Sequence, residues 1–112
     1  MPFLTSSEIV EREPFPGYKG RFIHGLQMTI ADWTIAEGAR FPEHSHPHEQ
    51  IVHVLDGTFE LTVGTETRVL QPGTAAVIPP GTRHGGRALS ACRLIDVCCG
   101  GKRRRIATMT NL

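Results

Sequence analysis

The stretch PEHSHPHEQ, Pro42 to Gln50, sets three of the chain's six histidines at every second position and follows them with Glu49 and Gln50. In extended backbone, residues two apart project to the same side. His44, His46, His48 and Gln50 therefore share one face if the segment is extended throughout. Imidazole nitrogens gathered on one face suit a divalent transition metal. Pro42 and Pro47 argue against an unbroken ladder, because each lacks the N–H that a neighbouring strand would use. The extended geometry is thus expected for His44 and His46, with His48 displaced. A further ligand must come from elsewhere in the fold, and His84 in PPGTRHGG is the candidate. Glu49 faces the other side of an ideal strand. His53, of opposite parity within IVHVL, and His24 read as structural histidines.

The elements that must position these groups are strands. Runs of β-formers alternate with Gly and Pro signals at short intervals, and no window carries a helical apolar stripe. LQMTIADWTIA is a strand whose apolar parity changes near Ala31 and Asp32, which predicts a bulge or burial of both faces. EQIVHVL and TFELTV flank Asp56-Gly57, a strong hairpin signal. VGTETRVLQPG turns at Gly64 and ends at Pro72-Gly73, a pair suited to a type II turn. TAAVIPPG is a short strand stopped by Pro79-Pro80-Gly81, and CRLIDVCC is the last apolar run. Six or more short strands with no covering helix predict an all-β sandwich or barrel closed on itself. The first twenty residues, with Pro14, Pro16 and Gly17, read as an N-terminal arm and loop (residues 1–20), residues 21–100 as the barrel, and residues 101–112 as a basic tail.

At 112 residues the chain is one domain, and its formal net charge of +1 gives no general case for nucleic acid or an anionic membrane surface. No apolar run approaches the roughly 18 residues that span a bilayer, and the start lacks a signal-peptide pattern, so a cytoplasmic protein is expected. Cys92, Cys98 and Cys99 fit a reducing compartment, with Cys92 and Cys98 expected as buried, inert thiols. The run Lys102 to Arg105, without aromatic interleaving, reads as a solvated tail.

GARFPEHSHPHEQIVHVLDG resembles the first motif of the cupin superfamily: Gly38, then His44-x-His46, then a polar ligand position, then Gly57. GTAAVIPPGTRH resembles the second: Gly73, Pro79-x-Gly81, then His84. The resemblance implies a double-stranded β-helix, or jelly-roll barrel, with a metal on His44, His46, Gln50 and His84. The family's usual glutamate ligand is Gln50 here, and the asparagine that often closes the second motif is Ala88. A neutral Gln leaves more positive charge on the ion, which favours a stronger Lewis acid that is less tightly held. His48 stays open as a substitute ligand, a substrate contact or an exposed residue.

HSHPHEQ, VLDGTFELTVGTETRVLQPG and IPPGTRHGGRAL further resemble small single-domain cupins related to the uronate-linearising protein of pectin and alginate degradation. That branch carries Gln at the ligand position and opens a cyclic unsaturated uronate to its keto form. The resemblance implies a lyase or isomerase acting on a small acidic sugar. Asp96 in LIDVCC would act as general acid/base, and Lys102 or Arg83 would offset the substrate carboxylate. Cys98 and Lys102 stand where those relatives have Phe and Arg. A thiol supplies no aromatic wall, and Lys lacks the bidentate grip of Arg. Trp33 and Phe41 are candidates to line a pocket, with a core role favoured for each. The cofactor implied is a divalent transition metal, nickel, zinc, manganese or iron, whose identity the sequence does not name. Rival readings are an iron-dependent dioxygenase and a non-catalytic small-molecule binder. A homodimer is implied by the family.

Overall fold

The computed structural model describes residues 3–99. Among them are ten strands: β1 Glu11–Phe15, β2 Tyr18–His24, β3 Thr29–Ile35, β4 Arg40–His44, β5 Gln50–Asp56, β6 Phe59–Val63, β7 Glu66–Leu70, β8 Ala75–Ile78, β9 His84–Ala88 and β10 Cys92–Cys98. A 3-10 turn, Ser6–Glu8, precedes them, and no helix among the described residues is long and apolar enough to cross a membrane. The strands form a six-stranded sheet in the order β1-β2-β3-β10-β5-β8 and a four-stranded sheet in the order β4-β9-β6-β7. Every paired neighbour is antiparallel. This is a jelly-roll barrel, of the all-β sandwich-or-barrel class expected from the strand and turn spacing and of the form that the resemblance implies.

Period-two burial builds the core. Along β3, Thr29, Ala31, Trp33 and Ile35 turn inward, and along β10 Cys92, Leu94, Asp96 and Cys98 do the same. Val52 and Val54 of β5 and Phe59 and Leu61 of β6 close on them from the two sheets. Trp33 is wholly buried, and Tyr18 packs edge-on against it with ring centroids 4.7 Å apart. Gly20 makes room for the indole, since a Cβ there would lie 2.6 Å from the Trp33 ring. Cys92 and Cys98 are both buried, as expected.

Two local expectations are corrected, and of the two alternatives for β3 the bulge is excluded. Asp56-Gly57 does not close a hairpin, because β5 pairs with β10 and β8 whereas β6 pairs with β7 and β9. The turn instead carries the chain from one sheet to the other, with Gly57 at φ 80° beneath the Ala91 carbonyl. No bulge interrupts β3, whose register to β2 and β10 is continuous. The parity change arises because Ile30 and Asp32 face outward and are half-buried, Asp32 pairing with Arg93 at 2.5 Å. Finally, the stretch expected as arm and loop contains β1 and the start of β2, which add a hairpin to the six-stranded sheet around Pro16-Gly17. By contrast, the hairpin at Gly64 is present. The type II turn at Pro72-Gly73 is present too, with Gly73 at φ 86° and Thr74 N–H donating to the Gln71 carbonyl at 3.0 Å.

Candidate metal centre

Four short pieces of chain deliver the donor residues. His44 ends β4, His46 lies in the loop beyond it, Gln50 opens β5, and His84 opens β9. The extended backbone expected through His44 and His46 stops one step earlier, at His44, and His48 is displaced as expected. β4 is an edge strand, which tolerates Pro42. Its register to β9 shifts between Phe41 and His44, so both side chains reach the interior although they are three residues apart. His44 and His84 are then directly paired across the two strands.

The ligating nitrogens of His44, His46 and His84 lie within 4.8 Å of one another. Each imidazole is oriented by a backbone carbonyl at its Nδ1: Pro42 for His44 at 2.9 Å, His48 for His46 at 2.9 Å, and Thr82 for His84 at 2.8 Å. A carbonyl only accepts, so Nδ1–H is the donor in all three rings and Nε2 carries the lone pair. Burial, first, and then the neighbouring His46 draw the His84 pKa below its ordinary value, against the opposing pull of the Thr82 carbonyl. The Nε2 of His84 is buried without a hydrogen-bond partner.

Gln50 completes the set. Its amide nitrogen donates to Asp96 Oδ2 at 3.0 Å, which fixes the amide so that Oε1 faces His46 Nε2 at 2.9 Å. Both of those atoms are acceptors, and they repel unless a positive centre, a proton or a metal ion, lies between them. Donor atoms bonded to one transition metal at about 2.0–2.2 Å stand about 3 Å apart when adjacent. The residues present therefore fit a metal on two independent grounds, the facing acceptors and the orphaned buried imidazole nitrogen.

A cavity of about 30 Å³ opens beside this cluster, lined by His44, Gln50 and His84 together with Tyr18, Phe41 and Asp96. Its volume holds about two water-sized groups. Asp96 projects into it from the central strand β10, and its Oδ2 accepts a second bond, from the Trp33 indole N–H at 3.0 Å. Two N–H donors meet this one carboxylate oxygen, which accepts from both. Trp33 and Phe41, expected as core, are buried or half-buried as such, and each also touches the site: Trp33 through Asp96, Phe41 through the His44 ring at 4.7 Å.

His48 stands outside the three-histidine cluster; its carbonyl orients His46 and its ring lies 6.0 Å from that imidazole. Glu49 is exposed, His53 faces outward, and His24 bonds to Thr29 Oγ1 at 3.0 Å. Arg83 is exposed and paired with Glu43 at 2.6 Å. Lys102 and the basic tail lie outside the described residues. Tyr18 is the cavity residue that sequence reasoning missed, because Pro16-Gly17 beside it reads as loop punctuation.

The family model of the cupin domain matches residues 31–98. Among solved structures, KdgF from Halomonas sp. superposes with a TM-score of 0.84 at 29% sequence identity, covering 95% of this chain and 98% of that one. An RmlC-like cupin from Shewanella frigidimarina gives a TM-score of 0.86 at 22% identity over 95% of this chain and 96% of that one. The polyketide cyclase RemF from Streptomyces resistomycificus gives 0.75 at 22% identity over 88% and 79%. Comparison with the curated proteins finds no match.

Proposed function

The chain belongs to the cupin family, and on that premise we propose that it holds a divalent transition metal on His44, His46, Gln50 and His84 and opens the ring of a small unsaturated sugar acid. The observation that carries this reading is the convergence of three imidazoles with fixed tautomers and one amide oxygen beside a cavity that also holds the Asp96 carboxylate. Full-length similarity to KdgF at 29% identity supports the substrate class, as does the Gln at the ligand position.

The bound ion would supply Lewis-acid polarisation of substrate oxygens. The chain's own residues do the rest. The cavity admits a hydroxyl or carboxylate group rather than a whole ring, so the sugar ring meets the protein at the rim. Asp96, charged and pointing inward, takes the proton of the anomeric hydroxyl. The freed electron pair forms the carbonyl, the bond from that carbon to the ring oxygen breaks, and the ring oxygen leaves as an enolate. Asp96 returns the proton to the enolate carbon to give the ketone, so no atom is gained or lost. Tyr18 lines the same cavity as a neutral hydroxyl, its pKa pushed well above the ordinary value by burial and then by the charge of Asp96. Lys102, and Arg83 if it leaves Glu43, are the cations proposed for the substrate carboxylate.

The test uses nickel-loaded protein and a lyase-derived unsaturated uronate, following loss of the conjugated chromophore. The expected result is acceleration over buffer that Asp96→Ala reduces at least about 100-fold, the scale of one acid/base group. No acceleration, or an Asp96→Ala variant equal to the parent, overturns the reading. Oxygen uptake by the iron-loaded protein would instead favour the dioxygenase.

A further inference from the structure

Trp33, Asp96 and Gln50 form a buried hydrogen-bond chain that ends on a donor atom of the candidate metal centre. The Trp33 indole N–H and the Gln50 amide N–H both meet Asp96 Oδ2 at 3.0 Å, and Gln50 Oε1 meets His46 Nε2 at 2.9 Å. Trp33 comes from β3, Asp96 from the adjoining β10 and Gln50 from β5 on its other side, so three neighbouring strands of one sheet hold the chain in place. All three residues are buried.

The direction of this chain is fixed at one end. An indole N–H can only donate, so the Asp96 oxygen that it meets must accept. The group presented to that same oxygen by residue 50 must then be a donor as well. Gln satisfies this and turns its own oxygen toward the imidazoles. A glutamate there would bring a carboxylate oxygen to about 3 Å from another carboxylate oxygen inside the protein, where two like charges cannot both persist.

We propose that Asp96, held as an acceptor by Trp33, selects an amide over a carboxylate at position 50 and thereby sets a charge-neutral donor set of three imidazoles and one amide. Asp96 and Trp33 act here as positioning residues, and the negative charge of the site sits one hydrogen bond beyond the Gln50 amide. The inference rests on the reading of Gln50 as a ligand, but the pairing of residues 50 and 96 also has a consequence in metal-free protein.

The experiment is a double-mutant cycle of Gln50→Glu and Asp96→Asn. In metal-free protein the double variant should lose less thermal stability than the two single losses added. Nickel affinity, by calorimetry, should show an inversion of sign: Asp96→Asn weakens binding at least about 10-fold with Gln at position 50, as loss of a ligand-orienting partner does, yet tightens it with Glu there. A merely structural Asp96 would move both backgrounds the same way, and that result, or additive stabilities, overturns the proposal. If the parent takes up no nickel, the ligand reading fails and the metal-free cycle alone decides the pairing. If Gln50→Glu does not fold, Trp33→Phe replaces it: weaker nickel binding than the parent, with no further loss once Asp96→Asn is present, supports the relay, and equal binding overturns it. Trp33 is the sole tryptophan, so its single indole N–H resonance reports Asp96 directly in each variant that keeps Trp33.

Discussion

Tyr18 shows how far one side chain's titration depends on where the fold sets it. It opens β2, lies buried beside Trp33 and lines the cavity. Burial first, and then the charges of Asp96 and Cys92, raise its pKa well above the ordinary 10.0. The unfolded chain releases this proton near pH 10, whereas the folded chain keeps it, so folding binds the proton more tightly. The stabilising contribution is complete below pH 10 and is lost as the pH climbs from there toward the folded pKa. Each pH unit in that window costs up to about 1.4 kcal/mol. Tyr18→Phe removes the titrating group, and its denaturation midpoint should fall less steeply between about pH 10 and pH 12 than that of the parent. Tyr18 is the only tyrosine, so tyrosinate absorbance should appear in the parent only together with unfolding. Reversible ionisation of the native protein near pH 10 would contradict the burial.

At the scale of elements, the turn after β5 decides which sheet the second half of the chain joins. Gly57 has φ 80°, and a Cβ on it would stand 2.1 Å from the Ala91 carbonyl oxygen and 2.9 Å from the Cys92 Cα. Both obstacles are backbone, so neither can swing aside. Gly57→Ala should destabilise by at least about 2 kcal/mol, the left-handed conformation alone costing about 1–2; a urea midpoint equal to that of the parent would refute this. The same turn marks a limit on what the chain's order of residues reveals. Asp-Gly announces a reversal, but only the partners β10, β8, β7 and β9 determine that the reversal changes sheets. The strands and the type II turn were legible because period-two burial and Pro-Gly geometry are local. His84 stood out as the candidate further ligand, but only the resemblance placed it with His44, because cross-strand pairing joins residues far apart in the chain. The bond from Trp33 to Asp96 spans 63 positions and left no local trace. Tyr18 was hidden for a related reason: β2 becomes a core strand only through β3 beside it.

For the molecule as a whole, the candidate centre draws its donors from both sheets. Gln50 belongs to the six-stranded sheet, His44 and His84 to the four-stranded one, and His46 to the loop that links them. An ion held by all four would bind the closed barrel and not the unfolded chain. By mass action, metal at about 100 times its dissociation constant then adds about 2.7 kcal/mol of stability. For a domain of this size that raises Tm by about 10 °C or more. Nickel or zinc should produce the rise, a chelator should reverse it, and magnesium, which prefers oxygen donors, should give little. The His44→Ala/His46→Ala variant should fold, retain no stoichiometric metal and show at most a small fraction of the rise. Because two of the four donors remain in that variant, a residual shift of a few degrees is compatible with weak binding, whereas a full shift is not. A Tm indifferent to chelator in the metal-loaded parent would mean that no ion joins the sheets, and the ring-opening chemistry would lose its electrophile.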